Sequence, residues 1–148
     1  MFRTSLCSFF LLTLLVAVRA HAEEIHLDSC DGLPVIEVTA AGAKSKLRFL
    51  VDTAATSMLN SKSFLQGDPR SVSVTSWNGT VETRSREITL SELVIGQHRL
   101  TNLRLPAVDL SAIGNACGKR IDGILGVDLL SRLGATVDLK NHTAQLVP

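Results

Sequence analysis

One carboxylate in this chain directly follows an apolar segment and precedes a run of hydroxyl and very small residues. The segment is Phe49-Leu50-Val51-Asp52-Thr53-Ala54-Ala55-Thr56. In a loop, small residues let the backbone approach a ligand, while hydroxyl groups hold the orientation of the Asp52 carboxylate. A carboxylate held in this way can take up or release a proton during a reaction. Alone, the segment is equally consistent with a turn that Asp52 only caps.

Other side chains that often do chemistry form no second candidate site in the sequence. His26, His98 and His142 are scattered, and none has metal-ligand spacing to another His, Cys or acidic residue. We therefore predict no metal site and no cofactor. Asp122 and Asp128 are interpreted as a turn residue and a helix N-terminal acid, respectively, rather than as a second catalytic carboxylate.

The element that positions Asp52 is a strand predicted over Ser45–Val51. Its Leu47–Val51 end is apolar apart from Arg48, and a strand without polar alternation is buried on both faces. Such a strand delivers Asp52 from the middle of the domain. Asn60 or Ser61 is expected to cap a short helical turn through Phe64.

The remaining pattern predicts short strands, tight turns and one short helix. Asn78-Gly79, beside Trp77, lies between two strand-like runs and favours a type I′ hairpin turn. Ser111–Gly118 is expected to be a loop, and Val127–Leu133 a short helix that Gly134 ends. Further strands are predicted at Leu33–Thr39, Ser71–Thr75, Val81–Leu90, Leu93–Ile95, Arg99–Leu105, Ile121–Leu125, Ala135–Leu139 and Thr143–Val147. This pattern indicates an all-β fold, a small closed or folded-over barrel.

The second half of the chain closely resembles the retropepsin-like aspartic proteases. Ile121 to Leu130 and Gly134 to Leu139 match that family's C-terminal half, with Ile124-Leu125-Gly126 as the hydrophobic-hydrophobic-Gly strand that passes beside the catalytic loop. By the same resemblance, Asp52-Thr53-Ala54-Ala55-Thr56 is the catalytic loop and the Asn78-Gly79 hairpin is the flap. Trp77, near the flap tip, either covers the substrate or packs on its own strand. The resemblance extends over roughly Val35 to Leu146, and its three motifs occur in the right order.

The resemblance implies a peptide or protein substrate and a homodimer. Two carboxylates held close together share one proton, so that one activates a water while the other polarises the scissile carbonyl. The chain has a single Asp-Thr loop, so the second carboxylate is expected to be Asp52 of another copy across a two-fold axis. Thr53 is expected to brace the two loops, and Thr56 to donate a hydrogen bond to the carboxylate.

Ala54 departs from the family pattern, which has Gly at this position. A methyl group there is expected to crowd the peptide, or to cost about 1–2 kcal/mol if the backbone needs a left-handed conformation. Two alternatives to an endopeptidase therefore stay open. One is a non-catalytic domain that keeps the fold and binds an extended peptide, and the other is a dimeric scaffold.

The first 22 residues are interpreted as an export signal. Arg3 gives a basic start, Leu6 to Val18 is almost wholly apolar, and Ala20-His21-Ala22 has the small-x-small pattern of a cleavage site. The apolar run is too short for a bilayer-spanning helix, although an uncleaved anchor is the alternative. We expect a periplasmic or secreted protease domain over 23–148, without membrane contact after cleavage.

Removal of the signal also sets the charge and the cysteine content of the remaining chain. Without Arg3 and Arg19 the acidic residues exceed the basic ones by one, which argues against nucleic acid as a partner. Cys30 and Cys117 are then the only cysteines, and in an oxidising compartment such a pair predicts a disulfide.

Overall fold

The computed structural model describes residues 22–65, 68–76 and 79–147, with the backbone alone for 68–76 and 79–84. The elements in chain order are β1 (Glu23–His26), β2 (Asp28–Cys30), β3 (Leu33–Ala40), β4 (Leu47–Asp52), β5 (Met58–Asn60), β6 (Asp68–Ser76), β7 (Gly79–Ile95), β8 (His98–Val108), α1 (Ser111–Ala116), β9 (Gly123–Gly126), α2 (Val127–Arg132), β10 (Thr136–Asp138) and β11 (Thr143–Leu146). The predicted export signal lies outside the described residues, except for its last position.

Six strands close into a mixed barrel, in agreement with the predicted fold class. The order is β3-β4-β9-β5-β8-β7, and β7 pairs back onto β3 to complete the ring. Two of the pairs, β4–β9 and β5–β8, are parallel, and the others are antiparallel. Among the described strands, closure leaves β2 and β6 as the edges of this sheet, which limits unpaired backbone groups.

Strand β4 is buried on both faces, as its loss of polar alternation predicted. Phe49 and Val51 belong to the main apolar cluster, which fills the barrel with Val, Leu and Ile side chains. Leu50 points to the opposite face of the strand and belongs to a smaller cluster that includes Ile121 and Ile124. The strand therefore holds Asp52 at its end through packing on two sides.

A second, three-stranded sheet joins the two ends of the described chain. Its order is β1-β11-β10, with both pairs antiparallel. Strand β1 was not predicted, because four residues give too little alternation to stand out. The strands predicted over Ala135–Leu139 and Thr143–Val147 are present as β10 and β11, which form an antiparallel hairpin.

The hairpin of β6 and β7 is present, but its turn differs from the prediction. Ser76 pairs with Gly79, so Gly79 is the first residue of β7 and not a central residue of a type I′ turn. Trp77 and Asn78 lie outside the described residues. Strand β7 also continues to Ile95, so the two separate strands predicted over Val81–Leu90 and Leu93–Ile95 form one.

The expectation of a loop over Ser111–Gly118 is wrong in its first part, because Ser111–Ala116 forms α1. Gly114 and Asn115 have low helix propensity, which hides the helix in the sequence. It forms because Ile113 and Cys117 pack against the smaller apolar cluster. The predicted helix after Gly126 is confirmed as α2, and Gly134 follows it with a φ of 55°.

The predicted disulfide is present between Cys30 and Cys117, with a Cα–Cα distance of 5.0 Å. It joins the end of β2 to the residue after α1 and lies against the smaller apolar cluster. Asn60 caps the predicted turn, since its Oδ1 accepts the Lys62 N–H at 3.0 Å. No helix within the described ranges is long and apolar enough to cross a membrane.

Candidate active site

Asp52 is the last residue of β4, at the point where the strand leaves the barrel. Its partner in β9 is Gly126. The Asp52 side chain is half-buried, and its Oδ1 accepts the backbone N–H of Ala54 at 2.8 Å. The chain turns at once, and the Ala55 N–H approaches the Asp52 carbonyl at 3.4 Å. One carboxylate oxygen is thus oriented by the loop itself, at the protein surface.

The loop after Asp52 lies directly against Gly126, as the resemblance implied. A Cβ atom at Gly126 would come within 2.3 Å of the Ala55 carbonyl oxygen and 2.5 Å of the Ser57 nitrogen. The N–H of Val127 donates to the same Ala55 carbonyl at 2.9 Å. Only glycine therefore fits here, and the structure brings Ile124-Leu125-Gly126 beside the Asp52 loop.

The structure also brings Ser57 and Asp128 into contact, which the sequence analysis did not predict. The Asp128 Oδ1 accepts both the backbone N–H and the hydroxyl of Ser57, each at 2.7 Å. The Ser57 Oγ in turn accepts the N–H of Gly126 at 2.8 Å. Asp128 does lie in the first turn of α2, as expected of a helix N-terminal acid, but it also binds the end of the loop. No local pattern connects positions so far apart.

Ala54 is exposed on the loop, and its backbone is not left-handed. The non-glycine residues with positive φ among the described positions are Asp31, Asn102 and His142. The expected cost of a left-handed alanine therefore does not arise. What distinguishes this loop from the family pattern is the exposed methyl group itself.

The other residues predicted for the site differ in what the structure shows of them. Thr53 is exposed and Thr56 is half-buried, both within the loop. Gly79 begins β7, while Trp77 and Asn78, predicted to lie over the substrate, are outside the described residues. In the described part of the chain, no group of three or more His, Cys, Asp or Glu side chains could hold a metal ion.

Asp122 directly precedes β9, at the end opposite Gly126, and is 2% exposed. Its Oδ2 accepts the Arg48 N–H at 2.9 Å, and its Oδ1 binds the Ser63 hydroxyl and the Arg120 Nε, each at 2.6 Å. Since β4 and β9 advance roughly 3.3 Å per residue, Asp122 is roughly 13 Å along the pair from Asp52. The interpretation of Asp122 as structural agrees with this position.

A family model described as aspartyl protease matches residues 35–129, which contain the Asp52 loop and the Gly126 strand. The chain belongs to the aspartyl protease family. Among solved structures, a retropepsin-like aspartic protease from Rickettsia conorii is similar, with a TM-score of 0.56 at 22% identity. The match covers 85% of this chain and 91% of that one, and it confirms the retropepsin-like fold of this aspartyl protease. No curated protein matches the chain.

Proposed function

We propose that this aspartyl protease is an exported endopeptidase that hydrolyses peptide bonds with Asp52 as its catalytic residue. The position of Asp52 carries the proposal. The carboxylate lies at the open end of β4, beside a tight loop contact at Gly126, with one oxygen oriented by the Ala54 N–H. Its other oxygen can bind a water or share a proton with a second carboxylate.

The second carboxylate of the proposed site comes from another copy of the chain. Asp122 is buried in its own network, and Asp128 binds Ser57, so neither is directed at Asp52. Two Asp52 side chains across a two-fold axis would share one proton. The ionised carboxylate then takes a proton from the attacking water, while the protonated one polarises the scissile carbonyl.

The remaining loop residues assist this reaction in the proposed dimer. Thr53 is exposed and free to meet its equivalent in the second copy, where a hydroxyl contact would brace the two loops. An extended peptide would lie across both loops, beneath the hairpin of β6 and β7. Export to the periplasm or beyond agrees with the disulfide between Cys30 and Cys117, since disulfides persist in oxidising compartments.

The exposed methyl of Ala54 favours a second candidate function, a non-catalytic domain that binds extended peptides. The methyl lies on the loop surface where a substrate backbone would pass, so it would crowd a peptide that is placed for attack by water. A binding domain needs the groove but not the water. The same fold therefore supports both functions, and only turnover separates them.

A covalently tethered dimer tests the proposal, because each Asp52 can then be changed independently. With both copies intact the tethered protein should cleave an unstructured polypeptide at acidic pH, and a statine-type transition-state mimic should inhibit it. Asp52→Asn in one copy should lower the rate of cleavage by about 10²–10⁴-fold, the range for loss of an acid–base group. If the second carboxylate lay in the same chain, each copy would hold a complete site, and the single-copy variant would keep about half of the parent activity.

Ala54→Gly in the same tethered protein separates the two candidate functions. If the methyl only crowds the substrate, the variant should cleave faster at unchanged stability, since Ala54 is exposed and has an ordinary backbone conformation. If neither the parent nor Ala54→Gly cleaves a broad peptide library, while peptides still bind, the binding domain replaces the enzyme.

A further inference from the structure

Ser57 ends the loop that begins at Asp52, and its side chain is 1% exposed. Buried hydroxyl groups are almost always hydrogen-bonded, and this one has a partner on each side. It accepts the Gly126 N–H at 2.8 Å and donates to the Asp128 Oδ1 at 2.7 Å. Because the Gly126 N–H already points at the Ser57 oxygen, the hydroxyl proton is directed to Asp128.

The carboxylate of Asp128 receives a second hydrogen bond from the same residue. The Ser57 backbone N–H also donates to Oδ1, at 2.7 Å. Asp128 therefore fixes both the side chain and the main chain of Ser57. Hydrogen bonds to an ionised acceptor are stronger than those between neutral groups, so this contact is well suited to hold a loop in place.

The two ends of the loop are attached to the same short stretch of chain. At its start, Asp52 pairs with Gly126 through the β4–β9 ladder. At its end, Ser57 binds Gly126 and Asp128. Between them, the Ala55 carbonyl accepts the Val127 N–H. Release of Ser57 would remove the contacts to Asp128 and Gly126 at the second end of the loop, while the β4–β9 pairing and the Ala55 contact would remain.

We propose that Asp128, acting through Ser57, is a positioning residue that holds the Asp52 loop in its catalytic geometry. The inference rests on the proposed protease function, since it assigns Asp128 a role in that reaction. Asp128 touches neither Asp52 nor the Ala54 N–H that orients it. Its effect is transmitted along the backbone from Ser57, and a displacement of about 1 Å at a reacting group can cost on the order of 100-fold in rate.

The test compares Asp128→Ala with Asp128→Asn in the tethered dimer. Asp128→Ala removes the acceptor, and kcat should fall by about 10- to 100-fold with KM changed much less. Asp128→Asn keeps an oxygen at the same place and should recover most of the lost kcat. Ser57→Ala, and the double variant with Asp128→Ala, should be no worse than Asp128→Ala alone, since both changes break one connection. Unchanged kcat in Asp128→Ala, or additive losses in the double variant, would overturn the proposal.

Amide hydrogen exchange gives a second readout that does not depend on turnover. The Ala54 N–H has no contact with Asp128, so a purely local role would leave its exchange unchanged. Release of the loop should instead speed exchange at Ala54 by about tenfold or more in Asp128→Ala, and Asp128→Asn should restore it. Unchanged exchange at Ala54 would overturn the positioning role. Absence of cleavage by the parent protein, with faster Ala54 exchange in Asp128→Ala, would refute the protease function alone.

Discussion

The two ends of the parallel pair β4–β9 each carry a carboxylate, and the two are held in opposite ways. Asp122, just before β9, is 2% exposed and accepts from Arg48, Ser63 and Arg120. Asp52, at the end of β4, is half-buried, and the hydrogen bond described for its side chain comes from Ala54. The same two strands therefore end in a closed polar network on one side and an open carboxylate on the other.

The difference shows how one strand pair serves both stability and chemistry. A buried carboxylate is tolerated only when hydrogen bonds and opposite charge compensate the loss of water. The donors around Asp122 belong to β4, to the turn after β5 and to the segment before β9, so the carboxylate fastens three parts of the chain together. Asp52 retains acceptor capacity, which a water or a second carboxylate can use.

The largest effect on stability is expected from Asp122→Ala. The change leaves the Arg48 N–H and the Ser63 hydroxyl without their buried acceptor, and it leaves Arg120 without its ion-pair partner. Removal of one member of a buried charged network costs about 3–5 kcal/mol. Urea denaturation should show this loss in the free energy of unfolding. Asp122→Asn keeps an acceptor oxygen and should lower the free energy of unfolding by less. A loss below about 1 kcal/mol in Asp122→Ala would mean that the network does not stabilise the fold.

The contrast between the two carboxylates was only partly predictable from the sequence. Asp52 stood out because an apolar strand and a run of small residues flank it on the chain. The network of Asp122 joins Arg48 and Ser63, which lie 74 and 59 residues away. The contact between Ser57 and Asp128 spans 71 residues. Such contacts leave no local spacing, so the sequence indicated the type of site but not its supports.

The fold was predictable to a similar extent, and for a similar reason. The β4 strand, the hairpin of β10 and β11 and helix α2 follow from local signals of burial and turn residues. Strands β1, β2 and β5 have three or four residues each, too few for a periodic pattern. Helix α1 contains Gly114 and Asn115, and it depends on tertiary packing that the sequence does not show.

Glycines occupy the two ends of β9, so the same change, glycine to alanine, can be made in each of the two regions. A Cβ at Gly126 would meet backbone atoms of the Asp52 loop, at 2.3 Å from the Ala55 oxygen. A Cβ at Gly123 would come within 2.5 Å of the Phe49 ring and 2.8 Å of the Met58 oxygen, in the core. Overpacking of this kind typically costs about 1–3 kcal/mol. Both Gly126→Ala and Gly123→Ala should therefore lower the free energy of unfolding by amounts in this range.

The two glycine variants should differ in activity per folded molecule. Gly126→Ala displaces the loop that carries Asp52, so cleavage at a temperature where the protein is folded should fall sharply. Gly123→Ala moves Phe49 and should leave cleavage close to that of the parent. Circular dichroism gives the folded fraction for each assay. Equal loss of activity in both variants would mean that the two ends of β9 are coupled and not separate.

The smallest effect on stability is expected at Asp138, a carboxylate that accepts several hydrogen bonds without being buried. It tests whether the number of donors or the burial makes a carboxylate stabilising. Like Asp122 it accepts several hydrogen bonds, from the Lys140 N–H and from the N–H and side-chain amide of Asn141, but it lies at the protein surface. These bonds, those from Asn141 foremost, hold the pKa of the Asp138 carboxyl below its ordinary value. A carboxyl with a lowered folded pKa stabilises the protein above its unfolded pKa of about 4, and this contribution is lost as the pH falls through the folded pKa.

Asp138→Asn keeps the shape of the side chain and removes the charge, so its urea midpoint should lie slightly below that of the parent at pH 7 and approach it at acidic pH. Asn141→Ala, which removes one donor, should give an intermediate profile. A loss at pH 7 as large as that of Asp122→Ala would mean that donors, and not burial, make a carboxylate structural in this fold.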